Sequence, residues 1–316
     1  MENITPPYLR TGDTIGIIAP ARFVTRDEMQ PTIRFLTAQG FIVKTSPHLF
    51  SQHYQFSGTD NERAEDLMEM IEDKSVKAIF CARGGYGSVR ILDLINLRKL
   101  QLNPKWIIGY SDITVLHSII SSWYGMETLH ATMPINFTND ISGNESMNCL
   151  VKVLMGENLF YKIPHHHFNH SGKASGLLAG GNLSILNNLV GTDADITAQG
   201  RILFIEDLDE YLYHIDRMMM HYKRSGKLKA ISGLIVGSFS DMKDNKTPFG
   251  SDSYEIINSI MNEYNIPICY GFSAGHTEPN YPLIIGRKVH LLVTEEGAEL
   301  TFATPTNLGV LENPEE

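Results

Sequence analysis

The strongest constraint on this chain is the alternation written into its first 135 residues. Short apolar runs suited to buried strands trade places with stretches of 3- and 4-residue apolar spacing suited to helices. Thr14 to Ala19 reads as a strand that ends at Pro20. Residues 27 to 39 carry Met29, Ile33 and Leu36 on one helical side and stop at Gly40. Residues 41–45, 76–81 and 106–109 read as further strands. Helices fit 61–72 (Ala64, Leu67, Met68, Ile71), 88–95 and a segment starting near Ser111. This alternation predicts an α/β fold with a parallel sheet and crossover helices.

After residue 135 the rhythm is lost. Residues 136–175 are rich in Asn, His, Ser, Gly and Lys, which predicts a surface linker between domains. The His165-His166-His167 run and His170 read as a solvated loop in preference to a metal site. From residue 176 onward, strands are expected at 201–205, 231–237, 288–292 and 299–302. A Met-rich helix is expected over Tyr213–Tyr222, with Met218-Met219-Met220 as core filler. The expected division is an α/β domain over 1–135, a linker over 136–175 and a β-rich α+β domain over 176–316. No internal repeat is seen.

Composition excludes several classes of function. With 42% hydrophobic and 20% charged residues, the chain can bury a core without staples. A net charge of −10 without any Lys/Arg run argues against a nucleic-acid partner. Cys81, Cys149 and Cys269 are far apart and lack zinc-ligand spacing, so they read as reduced thiols. The first residues lack the basic and apolar stretches of a signal peptide, and no apolar run is long enough to span a bilayer. A cytoplasmic protein with no membrane partner is the expectation.

Four segments could carry chemistry. Gly109-Tyr110-Ser111-Asp112 sits where a strand meets a helix, at the sheet edge where open α/β sheets place ligands. A serine on such a turn resembles a nucleophile elbow, although Ile113 stands where that motif has glycine. Ser111 or Asp112 could equally be a plain N-cap. Arg83-Gly84-Gly85-Tyr86-Gly87 follows another strand at the same edge. Its glycines let backbone N–H groups face a ligand, and Arg83 could pair with a substrate carboxylate or with a structural partner. The segment lacks the spacing of dinucleotide and P-loop motifs, so no nucleotide cofactor is expected. Glu206 follows an apolar strand, with Asp207, Asp209 and Glu210 beside it; position alone does not choose among them. His276 lies in a Gly- and Pro-flanked loop and suits a general base near neutral pH. His117, six residues past Ser111 on the same helix, points away from the serine; His130 is a competitor.

Together these pieces resemble the LD-carboxypeptidase family, which includes the muramoyltetrapeptide carboxypeptidases and the microcin-C self-immunity peptidases. The likeness runs from Ile15-Gly-Ile-Ile-Ala-Pro20 to about Leu292. It is carried by Arg83–Gly87, Gly109–Asp112, Gly180-Gly-Asn-Leu183, Phe204–Asp207 with Tyr213 and Asp216-Arg217, and Gly275-His276 with Asn280 and Gly286.

The resemblance implies a flavodoxin-like first domain, a smaller β-rich second domain and a Ser111–His276–Glu206 triad. It implies oxyanion donors at the backbone N–H groups of Gly85 and Asp112. Arg83, Gly84, Tyr86 and Asn182 are the expected substrate contacts. The implied reaction releases D-alanine from murein tetrapeptides without metal or organic cofactor, in a homodimer. One departure is His130-Ala-Thr-Met-Pro134, where many members carry His-Gly-Pro; it bears on pocket shape. The competing readings are a same-family amidase acting on a peptidyl-nucleotide toxin, a non-catalytic binding protein on the same scaffold, and a cysteine amidotransferase using Cys81.

Overall fold

The computed structural model describes residues 3–140 and 142–306. In chain order the strands are β1 (Thr14–Ile18), β2 (Ile42–Thr45), β3 (Val76–Cys81), β4 (Trp106–Gly109), β5 (Thr128–His130), β6 (Phe160–Pro164) and β7 (Gly172–Asn182). They continue as β8 (Ile202–Leu208), β9 (Gly233–Ser240), β10 (Ile268–Tyr270), β11 (Leu283–Ile285), β12 (Lys288–Thr294) and β13 (Gly297–Phe302).

The first sheet has the order β11-β5-β4-β3-β1-β2. Strands β1 to β5 run parallel, and β11 pairs antiparallel with β5. β3 and β4 are buried almost throughout, because helices cover both faces of a parallel sheet. Capping boxes start the crossover helices: Thr25 with Glu28 opens Arg26–Ala38, and Thr59 with Glu62 opens Asp60–Glu72. The segment after Gly87 is a 3-10 helix, Ser88–Leu94.

The second sheet has the order β10-β9-β8-β7-β12-β13-β6. β7 to β10 are parallel, and the β12, β13 and β6 pairings are antiparallel. Met218 and Met219 of helix Leu212–Arg224 are buried with Ile215 and Tyr222, and Met220 packs at the edge of that cluster.

The segment 136–175, expected as a surface linker, is structured. It holds helix Glu145–Leu154, strand β6 and the start of β7. The helix buries Met147, Leu150, Val151, Val153 and Leu154. Most of its polar residues sit on the outer face, Ser146 being the buried exception, and polar turns flank it, which hid this apolar stripe. His165 and His167 are exposed, while His166 stacks on Tyr270 at 5.5 Å.

The two halves share one apolar core. Ile108 and Leu129 of the first sheet cluster with Leu178, Phe204 and Leu291 of the second. No helix among the described residues is long and apolar enough to cross a membrane.

Candidate active site

Ser111 lies just past the end of β4, where the chain turns into a 3-10 helix. Its φ is 62°, in the left-handed region that costs a non-glycine residue about 1–2 kcal/mol. The 3-10 turn Ser111–Ile113 then leads into helix Thr114–Trp123, and neither has a side-chain cap hydrogen bond. Capping therefore does not account for a strained serine here.

The glycine-rich loop after β3 is pressed against this turn. A Cβ on Gly84 would lie 3.0 Å from Ser111 Cβ, 3.1 Å from Ser111 Oγ and 3.3 Å from the Asp112 nitrogen. Two links fix the loop. Ser88 N–H donates to the Asp112 carboxylate at 2.8 Å. Buried Arg63 donates to the carbonyls of Pro20 at 2.5 Å and Gly87 at 2.9 Å. Gly84 thus lies against the serine hydroxyl and the Asp112 nitrogen with no side chain between them.

Glu206 is fully buried. It was expected at the end of its strand, but β8 continues to Leu208 and its register with β9 slips between Ile205 and Asp207. Such a bulge re-aims a side chain. The result is a 2.7 Å hydrogen bond from His276 Nδ1 to Glu206 Oε2. An ionised carboxylate only accepts, so this bond puts the imidazole proton on Nδ1 and leaves Nε2 free to act as a base.

Gly275 makes this contact possible. Its φ is 107°, and a Cβ there would stand 2.5 Å from Glu206 Oε2. Gly275 N–H donates to Asn280 Oδ1 at 3.0 Å, and Asn280 N–H to Ser146 Oγ at 2.8 Å. The Tyr110 ring lies 4.8 Å from the imidazole. Burial and then the Glu206 charge push the Tyr110 hydroxyl up to about 12, so it stays neutral.

Ser111 and His276 line one cleft of about 540 Å³, together with Arg83, Gly84, Gly85 and Asn182. Among the described residues their side chains make no hydrogen bond to each other. The competing histidines are elsewhere. His117 is buried, bonded through its two ring nitrogens to the Gly109 carbonyl and Thr128 Oγ1, and burial pulls it down to about 4. His130 is buried beside Tyr110 and Phe204, and burial holds it well below the ordinary histidine range. Burial likewise pushes the Cys81 thiol far up, which removes the thiolate a cysteine nucleophile needs.

Comparison with known proteins supplies the affiliation. Residues 15–131 match the LD-carboxypeptidase N-terminal domain, and residues 175–291 match the LD-carboxypeptidase C-terminal domain. The chain belongs to the LD-carboxypeptidase family. It is 36% identical over 308 residues to a probable murein peptide carboxypeptidase of Bacillus subtilis, covering 94% of each chain. It is 26% identical over 330 residues to the microcin C7 self-immunity protein of Escherichia coli, covering 93% of this chain and 94% of that one. Its fold is similar to the crystal structure of muramoyltetrapeptide carboxypeptidase from Oxalobacter formigenes. The TM-score there is 0.83 at 27% identity, over 92% of this chain and 99% of that one.

In this member of the family the remaining expected residues are placed unevenly. Asn182 lines the cleft, but its side chain is engaged: Nδ2 donates to Asp207 Oδ1 at 2.9 Å and Oδ1 caps helix Leu183–Leu189. Tyr86 is exposed beside Phe56 and is not part of the cleft wall. Arg22 and Asn136 do line it and carried no role in the sequence reading; Asp207, one of the acidic residues weighed there, lines it too.

Asp207 is buried and accepts from Asn182, Ser184 and Leu208. Burial, then the Glu206 charge, pushes it up to about 7. Between the unfolded carboxylate range near 4 and this value, the folded state holds the extra proton. Stability therefore falls as pH rises through that window, by up to about 1.4 kcal/mol per unit. Asp207→Asn is expected to flatten that slope, measured by urea unfolding between pH 5 and 8.

Proposed function

We propose that this LD-carboxypeptidase is a serine peptidase that releases the terminal D-alanine of murein tetrapeptides through an acyl-enzyme on Ser111. The observation that carries the reading is the buried His276–Glu206 pair opening onto the cleft that also holds the strained Ser111. The substrate class comes from the relatives' names.

The steps follow from the groups in place. His276 Nε2 takes the proton of Ser111 as Oγ attacks the amide carbonyl between the L-centre and the D-residue. The N–H groups of Gly85 and Asp112 hold the oxyanion. His276 then protonates the departing amine, and the C–N bond breaks. Water, deprotonated by the same imidazole, attacks the ester and frees the enzyme. Glu206 holds the imidazole tautomer and stabilises its charged form. These proton transfers and bond changes balance with the residues named. On this reading the enzyme works in the cytoplasm, as a homodimer.

A peptidyl-nucleotide amide is the second substrate class to be tried, because the microcin C7 self-immunity protein is similar over nearly its whole length. Both substrates would be incubated with the protein and followed by mass spectrometry. Release of D-alanine from the tetrapeptide is the expected result. Cleavage of the nucleotide conjugate alone would turn the reading to the second class, and no cleavage of either would overturn both.

A further inference from the structure

Arg22 stands at the rim of the cleft just past β1. Its backbone N–H donates to the Gly84 carbonyl at 3.4 Å, and its backbone forms a bridge with Phe56. Its side chain lies directly over Gly85. A Cβ on Gly85 would fall 2.6 Å from Arg22 Cδ and 2.7 Å from Arg22 Nε. The guanidinium is thus carried over the glycine loop that flanks the serine, with no side chain on Gly85 to intervene.

The charges around it are matched differently. Arg63 and Arg90 both pair with Asp60. Arg83 has Glu28 at 4.0 Å. On the facing wall Asp209 pairs with Lys243 at 2.6 Å, and Glu210 with His214 at 2.5 Å. Among the described residues Arg22 forms no ion pair; the carboxyl it acts on electrostatically is that of buried Asp112, which it helps to hold ionised against burial. An exposed guanidinium with no direct ion pair, on the wall of a cleft in a chain of net charge −10, is complementary to a substrate anion.

We propose that Arg22 binds a substrate carboxylate, that of the departing residue, and so confines the enzyme to the chain end. This rests on the peptidase reading above. The carboxylate of a leaving amino acid is two bonds from the scissile nitrogen. A group lying across Gly85, beside the oxyanion position, is within reach of it. A planar fork suits a carboxylate better than an ammonium does. A second carboxylate could come from a diaminopimelate side chain on the residue before the scissile bond.

The test is a binding titration in the Ser111→Ala protein, with tetrapeptides ending in a free acid or an amide and carrying lysine or diaminopimelate at the third position. The free acid is expected to bind about 30-fold more tightly than the amide, as charge-assisted hydrogen bonds allow. Adding Arg22→Ala is expected to erase that preference, and Arg83→Ala to keep it. Persistence of the preference without Arg22 would overturn the proposal. So would its loss in Arg83→Ala, or a preference that follows diaminopimelate over lysine. Turnover of the peptide by Ser111→Ala during the titration would instead overturn the serine mechanism and leave the acid-to-amide comparison readable.

Discussion

Ser111→Ala is expected to lower kcat for D-alanine release by about 10⁴-fold or more, with KM little changed. Removing the nucleophile of a serine triad leaves only binding and the oxyanion donors. The measurement is steady-state release of D-alanine, checked by loss of covalent labelling with a serine-directed phosphonate. The backbone gives a second readout. Alanine at φ 62° suffers the same left-handed strain as serine, so folding stability should stay near that of the parent. Ser111→Gly should also be inactive yet melt at a higher temperature, because glycine adopts this conformation freely. Activity retained in either variant would mean that another group attacks the substrate. A Ser111→Gly protein that melts lower would mean that the turn is not strained.

Glu206→Gln is expected to cost about 10³- to 10⁴-fold in kcat. The carboxamide preserves shape in a fully buried position, so the effect is on the proton and not on packing. With the amide NH₂ toward His276 Nδ1, the imidazole must carry its proton on Nε2, where it cannot act as a base. The charge that stabilises the imidazolium is also lost. Stability should hold, since the substitution removes a buried charge. Calorimetric melting would separate this outcome from unfolding. A Glu206→Gln protein with near-parental kcat would assign the orienting role to another carboxylate, with Asp207 the first to examine.

Much of the first half was legible because its strands are buried on both faces. Continuous apolar runs such as Ile107-Ile108 have no other stable home in a polar chain, and 3- and 4-residue apolar spacing marks the helices over 27–39 and 61–72. The helix over 145–154 was hidden by the polar residues around it. The strands at 128–130, 268–270 and 283–285 are three residues each and exist only through long-range pairing, which a local pattern does not register. Within the site, the elbow at Ser111 and the glycine loop were readable as turns. The residues alone did not choose Glu206 over its acidic neighbours. That choice depends on a slip in register against β9, a strand that lies further along the chain. Tyr110 was inside a motif already singled out, but its contact with the imidazole is tertiary. Arg22 carried no signal, since a lone arginine after a strand has no pattern.

The segment that bears His276 starts from β10, on one sheet, and ends in β11, on the other. It is a strap fastened at both ends to different bodies. Any sliding of one sheet against the other would load the loop that carries the imidazole, so the His276–Glu206 contact is tied to how the two halves are seated. The apolar core shared by the two halves and the β11–β5 pairing both resist opening of the cleft. On the peptidase reading, a cleft held in this way suits a slender peptide tail far better than a folded protein.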